Sequence, residues 1–162
     1  MTIESVRPAG TTDPATLVDA EVMRRLTARV IKDQPEIDRG TARRIVGQTA
    51  AFLATSGRRP GVELSPSKLV DIGWHTWILH TVDYAQFCER VGGRFVHHVS
   101  TPDSEESASS PEAARERTLA AMTQVGFTID LEARPWAGPD LYDVMLLDLL
   151  DLRAQANAHR VG

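Results

Sequence analysis

The sequence predicts an all-α fold, a single domain of about five helices with at most a short β element near residues 94–99. A polar residue that can cap a helix is followed by proline, which favours the first helical position, at three places: Asp13-Pro14, Ser65-Pro66 and Ser110-Pro111. Apolar residues recur at helical rather than alternating spacing. A chain of 162 residues suits one domain.

Two helices are predicted in the first third of the chain, over residues 14–33 and 37–56. The first carries apolar residues four positions apart and is ended by Pro35: Val18, Val22, Leu26 and Val30. The second carries a narrower apolar stripe, and Gly57 is its predicted C-cap: Ala42, Ile45, Val46, Thr49 and Leu53.

A third helix is predicted from Ser65-Pro66 toward Val91, where Gly92-Gly93 ends it. Residues 94–99 are then expected as an edge strand or an extended loop. The capped start at Ser110-Pro111 predicts a fourth helix over 111–125, ending near Gly126.

The remaining segments complete the predicted organisation. Residues 1–12 are expected to be a flexible tail, and the polar, acidic residues 101–110 a mobile loop, within a domain covering 13–158. A leucine-rich helix over 140–153 has an apolar arc wider than one packing face requires. It is therefore either deeply buried or the interface of a homodimer.

Composition excludes several classes of function. No run approaches 18 apolar residues, so no membrane span is expected, and the N-terminus lacks signal-peptide features, which predicts a cytoplasmic protein. A net charge of −4 without a basic stripe argues against nucleic-acid binding. Cys88 is the single cysteine, so an intramolecular disulfide is excluded, and we expect a small buried apolar residue.

Four of the five histidines fall within 24 residues, and all four are candidate metal ligands: His75, His80, His97 and His98. Asp71 and His75 are four residues apart and share a helix face, so the carboxylate can orient the imidazole. His80 and Tyr84 pair in the same way on another face. His75 and His80 lie about 140° apart on one straight helix, so they would need a kink to bind one ion.

In an extended segment, adjacent side chains point to opposite faces, so only one of His97 and His98 is expected to join the site. Asp71 is a ligand or an orienting carboxylate. Imidazole and carboxylate ligands suit zinc, iron(II) or copper, and the sequence does not choose among them.

Catalytic roles are predicted for residues of the same helix: Asp71, His75, His80 and Tyr84. Trp74 and Trp77 are the candidate cofactor-binding residues of the pocket, with positions in the hydrophobic core as the alternative. Each histidine could equally be a buried residue with a structural hydrogen bond.

The motif Val70-Asp71-Ile72-Gly73-Trp74-His75, followed by His80, Tyr84, Phe87-Cys88, Gly93 and His97-His98, resembles the core of the glycine-rich-domain-containing-protein-like family. The resemblance covers about 30 residues and implies a small bacterial member without the glycine-rich tail. It directs attention to the same histidines, tryptophan, tyrosine and cysteine, but it implies no reaction. A leucine-rich helix stands where bacterial relatives carry a Cys/His-rich tail.

Two functions remain open from the sequence. The first is a small helical enzyme, of biosynthetic type, acting on a small-molecule substrate. Either a metal at the histidine cluster or a histidine general base paired with Asp71 would carry the chemistry. The second is a non-catalytic interaction module in which the histidines and Asp71 form a buried hydrogen-bond network.

Overall fold

The computed structural model describes residues 11–98 and 110–130, and these residues form an all-α domain. Its helices are α1 (Ala20–Asp33), α2 (Arg39–Arg58), α3 (Lys68–Ile78), α4 (Thr81–Phe87) and α5 (Pro111–Val125). A 3₁₀ turn, Pro14–Leu17, precedes α1, and a π turn, Cys88–Gly92, follows α4. The predicted fold class is confirmed. The predicted tail, acidic loop and leucine-rich helix 140–153 lie outside the described residues, apart from Thr11, Thr12 and Ser110.

Helix α2 lies at the centre, and α1, α3, α5, the 3₁₀ turn and the π turn all pack against it. Its small residues allow close approach, and most of them are fully buried: Ala42, Ala50, Ala51 and Ala54. Gly73 of α3 packs directly against Thr49 and Ile45 of α2. A β-carbon at residue 73 would lie only 3.2 Å from Thr49 Cβ and 3.0 Å from Ile45 Cγ2. This contact sets the position of α3, which carries the candidate site.

The first predicted helix is shorter than expected. Asp13 caps the 3₁₀ turn, but Val18 is extended at φ −95° and ψ 128°, so the helix does not continue. Asp19 then provides a second N-cap by accepting from the backbone N–H groups of Glu21 and Val22, and α1 begins at Ala20.

The prediction of one continuous third helix is wrong, because the chain breaks between Ile78 and Thr81. An unbroken helix would separate residues ten positions apart by about 15 Å. Instead, the Trp77 and Phe87 rings lie 4.4 Å apart between centroids. Trp74 Nε1 likewise donates to the Tyr84 hydroxyl at 2.8 Å. Burying these aromatic pairs requires the bend.

The π turn ends at Gly93, whose φ of 75° lies in the left-handed region that favours glycine. The chain then returns in extended form across α3 and α4, without strand pairing over 94–98. Within the described residues, the only bridge of β type is an isolated pair between Thr12 and Phe127. None of the described helices is both long and apolar enough to cross a membrane.

Candidate metal centre

Asp71, His75 and His98 converge at the surface where the extended segment crosses α3. One nitrogen or oxygen atom from each residue can be chosen so that the three atoms all lie within 4.8 Å of one another. His98 Nε2 is 2.8 Å from Asp71 Oδ1, and His75 Nδ1 is 3.4 Å from Asp71 Oδ2. The arrangement therefore places one carboxylate against two imidazoles, whose rings contact each other edge-on at 4.3 Å between centroids.

Helix α3 supplies two of these residues. Ser67 caps it by accepting from the backbone N–H of Val70, and the four-residue spacing then brings Asp71 and His75 to one face. His75 Nδ1 also lies 3.0 Å from the backbone oxygen of Asp71. The His75 side chain is 61% exposed, so this edge of the cluster is open to solvent.

His98 reaches the cluster because the chain after Gly93 is tied down to α3 and α4. The Tyr84 hydroxyl donates to the backbone oxygen of Val96 at 2.5 Å and accepts from Trp74 Nε1. The Trp74 ring packs edge-on against the His98 ring at 4.4 Å between centroids. The His98 side chain is consequently only 16% exposed, whereas His75 beside it faces solvent.

The structure does not bring every predicted residue to this cluster. His80 lies in the break between α3 and α4, where its Nδ1 is 3.0 Å from the backbone oxygen of Thr76. His97 is exposed, and its ring makes a tilted contact with the Phe95 ring at 4.9 Å between centroids, on the other side of the extended segment. Trp77 is fully buried in the core. The chain does bend between His75 and His80, as one shared ion would require, but the bend leaves His80 outside the cluster.

Tyr84 and Cys88 are buried beneath the cluster. Burial raises the pKa of the Tyr84 phenol well above its usual range, and burial also raises the pKa of the Cys88 thiol. Both groups therefore stay protonated at neutral pH. Tyr84 has three hydrogen-bond partners, Val96, Trp74 and Cys88, that hold its hydroxyl in place, which suits a structural role better than proton transfer.

A depression of about 490 Å³ adjoins the cluster between the end of α1 and the exposed face of α3. Asp71 and His75 form part of its wall, together with residues that the sequence analysis did not single out: Asp33, Gln34, Lys68, Ile72, Thr76 and Leu79. Lys68 lies one turn before Asp71, so its spacing could have identified it. Asp33 and Gln34 come from another helix and carry no such signal.

Two imidazoles and one carboxylate are a donor set that suits zinc, iron(II) or copper. Ligand atoms around a tetrahedral zinc ion are about 3.4 Å apart, given bonds of about 2.0–2.2 Å. The separation between His75 Nδ1 and Asp71 Oδ2 already has this value, at 3.4 Å, but Nδ1 would have to give up its hydrogen bond to the backbone oxygen of Asp71 in order to bind an ion. The 2.8 Å hydrogen bond between Asp71 and His98 would have to widen by roughly half an ångström.

Comparison with known proteins identifies a family for this chain but no individual relative. None of the curated proteins and none of the solved structures matches it. A family model described as UCP032817-like matches residues 14–123, and this description names no reaction, substrate or cofactor. The resemblance to the glycine-rich-domain-containing-protein-like family stays a prediction. Because the matched region covers more than half of the sequence and includes every residue of the cluster, the chain belongs to the UCP032817-like family.

Proposed function

We propose that this protein binds one divalent transition-metal ion through Asp71, His75 and His98, and uses it to act on a small molecule. The observation that carries the proposal is the convergence of three ligand atoms within 4.8 Å. Asp71 and His98 are separated by 27 residues in the chain, so their approach depends on the tertiary fold. Helical spacing alone would have given only the pair on α3.

Three protein ligands leave a coordination position for water or substrate, which is the pattern of catalytic rather than structural zinc sites. A metal in such a site acts as a Lewis acid or lowers the pKa of a bound water. The protein's own contribution is to orient the ligands. In the metal-free protein Asp71 contacts both imidazoles, which keeps the three ligands together. His75 and Asp71 also line the adjoining depression, where a small molecule would bind.

The proposal is tested by metal binding to protein purified without a histidine tag. Zinc(II) titration should reach one ion per chain, and His98→Ala should weaken binding by at least about 100-fold, more than the loss of an outer-shell partner costs. His97→Ala is the matched control, because His97 is adjacent in sequence but exposed on the other side of the segment. It should bind zinc as the wild type does.

A stoichiometry below about 0.1 ion per chain after addition of zinc, iron(II) or copper(II) would refute the proposal. Equal losses in His97→Ala and His98→Ala would also contradict it, because they would indicate adventitious surface binding. His75→Ala should lose affinity as His98→Ala does, whereas His80→Ala should not, since His80 lies outside the cluster.

A second function without metal is favoured by one observation, the direct hydrogen bond of 2.8 Å between His98 Nε2 and Asp71 Oδ1. In that case the cluster is a hydrogen-bond network that fastens residues 94–98 to α3 in a non-catalytic interaction module. His98→Ala would then lower the free energy of unfolding by about 1 kcal/mol. Added zinc would change the stability of neither the wild type nor the variant. If zinc stabilises the wild type but not His98→Ala, the result favours the metal site over the metal-free network.

A further inference from the structure

We infer that Tyr84 is the positioning residue that sets His98 against Asp71. This inference rests on the proposed function for its consequence in metal binding, but the contact that it concerns is present in the metal-free protein. Tyr84 makes no hydrogen bond to Asp71 or to His98. It acts through the backbone of Val96, two residues before His98, and through the Trp74 ring that packs against His98.

Two hydrogen bonds of the Tyr84 hydroxyl constrain His98 in different ways, and a third links the hydroxyl to the Cys88 side chain. The hydroxyl donates to the backbone oxygen of Val96, which fixes the path of the extended segment. It accepts from Trp74 Nε1, which fixes the indole that packs edge-on against the His98 ring. One hydroxyl therefore determines both where the main chain carrying His98 runs and which surface its ring meets.

The main chain next to His98 is held by two buried groups, Tyr84 and Cys88, since the Cys88 thiol forms hydrogen bonds with the Val96 backbone and with the Tyr84 side chain. Residues 94–98 have no strand pairing, and Phe95 on the outer side is 45% exposed. Val96 is buried and points inward, so the bond from Tyr84 lies in a region without competing water. Buried hydrogen bonds of this kind are costly to lose, because both the carbonyl and the indole N–H would be left without a partner.

The variant Tyr84→Phe keeps the ring, including its contact with Phe95 at 5.2 Å, and removes only the hydroxyl. Thr55→Val is the matched control. Thr55 is fully buried in α2, its hydroxyl donates to the backbone oxygen of Ala51 at 2.7 Å, and it has no contact with the cluster. Both variants lose one buried hydroxyl, but only Tyr84→Phe should affect His98.

The first measurement uses the metal-free protein and the ¹⁵N resonances of the histidine rings. In Tyr84→Phe the His98 resonances should move toward those of a solvent-exposed imidazole such as His97, whereas Thr55→Val should leave them unchanged. The second measurement is cobalt(II) binding followed by its visible absorption. Tyr84→Phe should bind cobalt(II) about 10–100-fold more weakly, as is typical when a residue supporting a ligand is lost, with an altered spectrum.

Unchanged His98 resonances in folded Tyr84→Phe would overturn the inference. If the wild type binds no cobalt(II), the proposed function fails, while the His98 resonances still decide the role of Tyr84. If Tyr84→Phe does not fold, Trp74 is replaced by the isostere β-(3-benzothienyl)alanine, which keeps the bicyclic ring that packs against His98 and removes only the N–H that donates to the Tyr84 hydroxyl. This variant should shift the His98 resonances in the same direction by a smaller amount, and no shift would refute the inference.

Discussion

Replacing Gly73 by alanine is expected to destabilise the protein, although alanine is the better helix former. Gly73 lies in the middle of α3, on the side opposite the solvent-exposed His75, and faces α2. A β-carbon there would lie 3.2 Å from Thr49 Cβ and 3.0 Å from Ile45 Cγ2, and still closer to Thr49 Oγ1. Neither neighbour can move freely, because both are fully buried.

Two opposing effects set the size of the change. Removing glycine from a helix interior stabilises it by about 1 kcal/mol. Against this, overpacking a tight contact costs about 1–3 kcal/mol. If Thr49 turns away instead, its hydroxyl loses the bonds to the backbone oxygens of Ile45 and Val70, at 2.8 and 3.2 Å, at a similar cost. Because the approach to Thr49 Oγ1 is so close, the cost should fall in the upper part of this range, which leaves a net loss of about 1–2 kcal/mol, or roughly 2–8 °C in Tm.

The assay is urea unfolding followed by far-ultraviolet circular dichroism, together with thermal unfolding of the same samples. Gly47→Ala is the matched control, because Gly47 also lies inside a helix, but a β-carbon there would meet Ala15 at an ordinary 3.5 Å. That variant should be as stable as the wild type or more stable, by up to about 1 kcal/mol.

The reasoning is refuted if Gly73→Ala unfolds at the same or higher urea concentration than the wild type with an unchanged m-value. The clash with Thr49 is tested by a double-mutant cycle. Thr49→Ala removes the nearest atom, so the combined loss in the Gly73→Ala/Thr49→Ala protein should be smaller than the sum of the two single losses. Strict additivity would show that the contact with Thr49 is not the cause.

Three further outcomes are expected. Because burial raises the pKa of Cys88 and of Tyr84 in the folded state, the contribution of these two groups to the free energy of unfolding should be constant well below pH 9, the ordinary pKa of the thiol, and should fall as the pH rises through and above that value; urea unfolding at pH 7.5 and 10 measures this, and equal values would contradict it. Gly57→Ala should cost more than Gly73→Ala, about 3 kcal/mol or more, because its β-carbon would lie 2.6 Å from the backbone Cα of Gly92, which has no rotamer to change; an unchanged urea midpoint would contradict this. Zinc at 100 times its dissociation constant should stabilise the wild type by about 2.7 kcal/mol, reversed by a chelator, whereas no zinc-dependent change in Tm would count against the metal site.

Local capping signals predicted one helix closely and misplaced two helix ends, because Gly57 lies inside α2 and Ser67, not Ser65, caps α3. Helix α5 follows its expected bounds of 111–125, because Ser110 caps it and Gly126 ends it with a φ of 98°. The break between α3 and α4 has no proline or glycine to mark it. It arises from aromatic pairs ten residues apart, of which Trp77 with Phe87 is one, and a helical wheel cannot show such pairs.

The candidate site divides in the same way. The four-residue spacing of Asp71 and His75 was enough to place them together, since one helix carries both. The choice of His98 over His97 depends on the path of residues 94–98, which the bond from Tyr84 to Val96 sets. The exclusion of His80 follows from the break in the helix. Tertiary contacts determine both the inclusion of His98 and the exclusion of His80. Residue spacing within one helix carries no information about such contacts.

The separation of Asp71 and His98 by 27 residues gives a bound ion a second physical role. An ion held by both would act as a reversible cross-link that closes a loop containing most of α3, all of α4 and the π turn. By the loop-entropy relation used for disulfides, closing a loop of this size in the unfolded chain is worth about 3–4 kcal/mol. A chain with a single cysteine cannot obtain such a restraint by pairing its own thiols. The fraction of folded protein would then follow the free metal concentration.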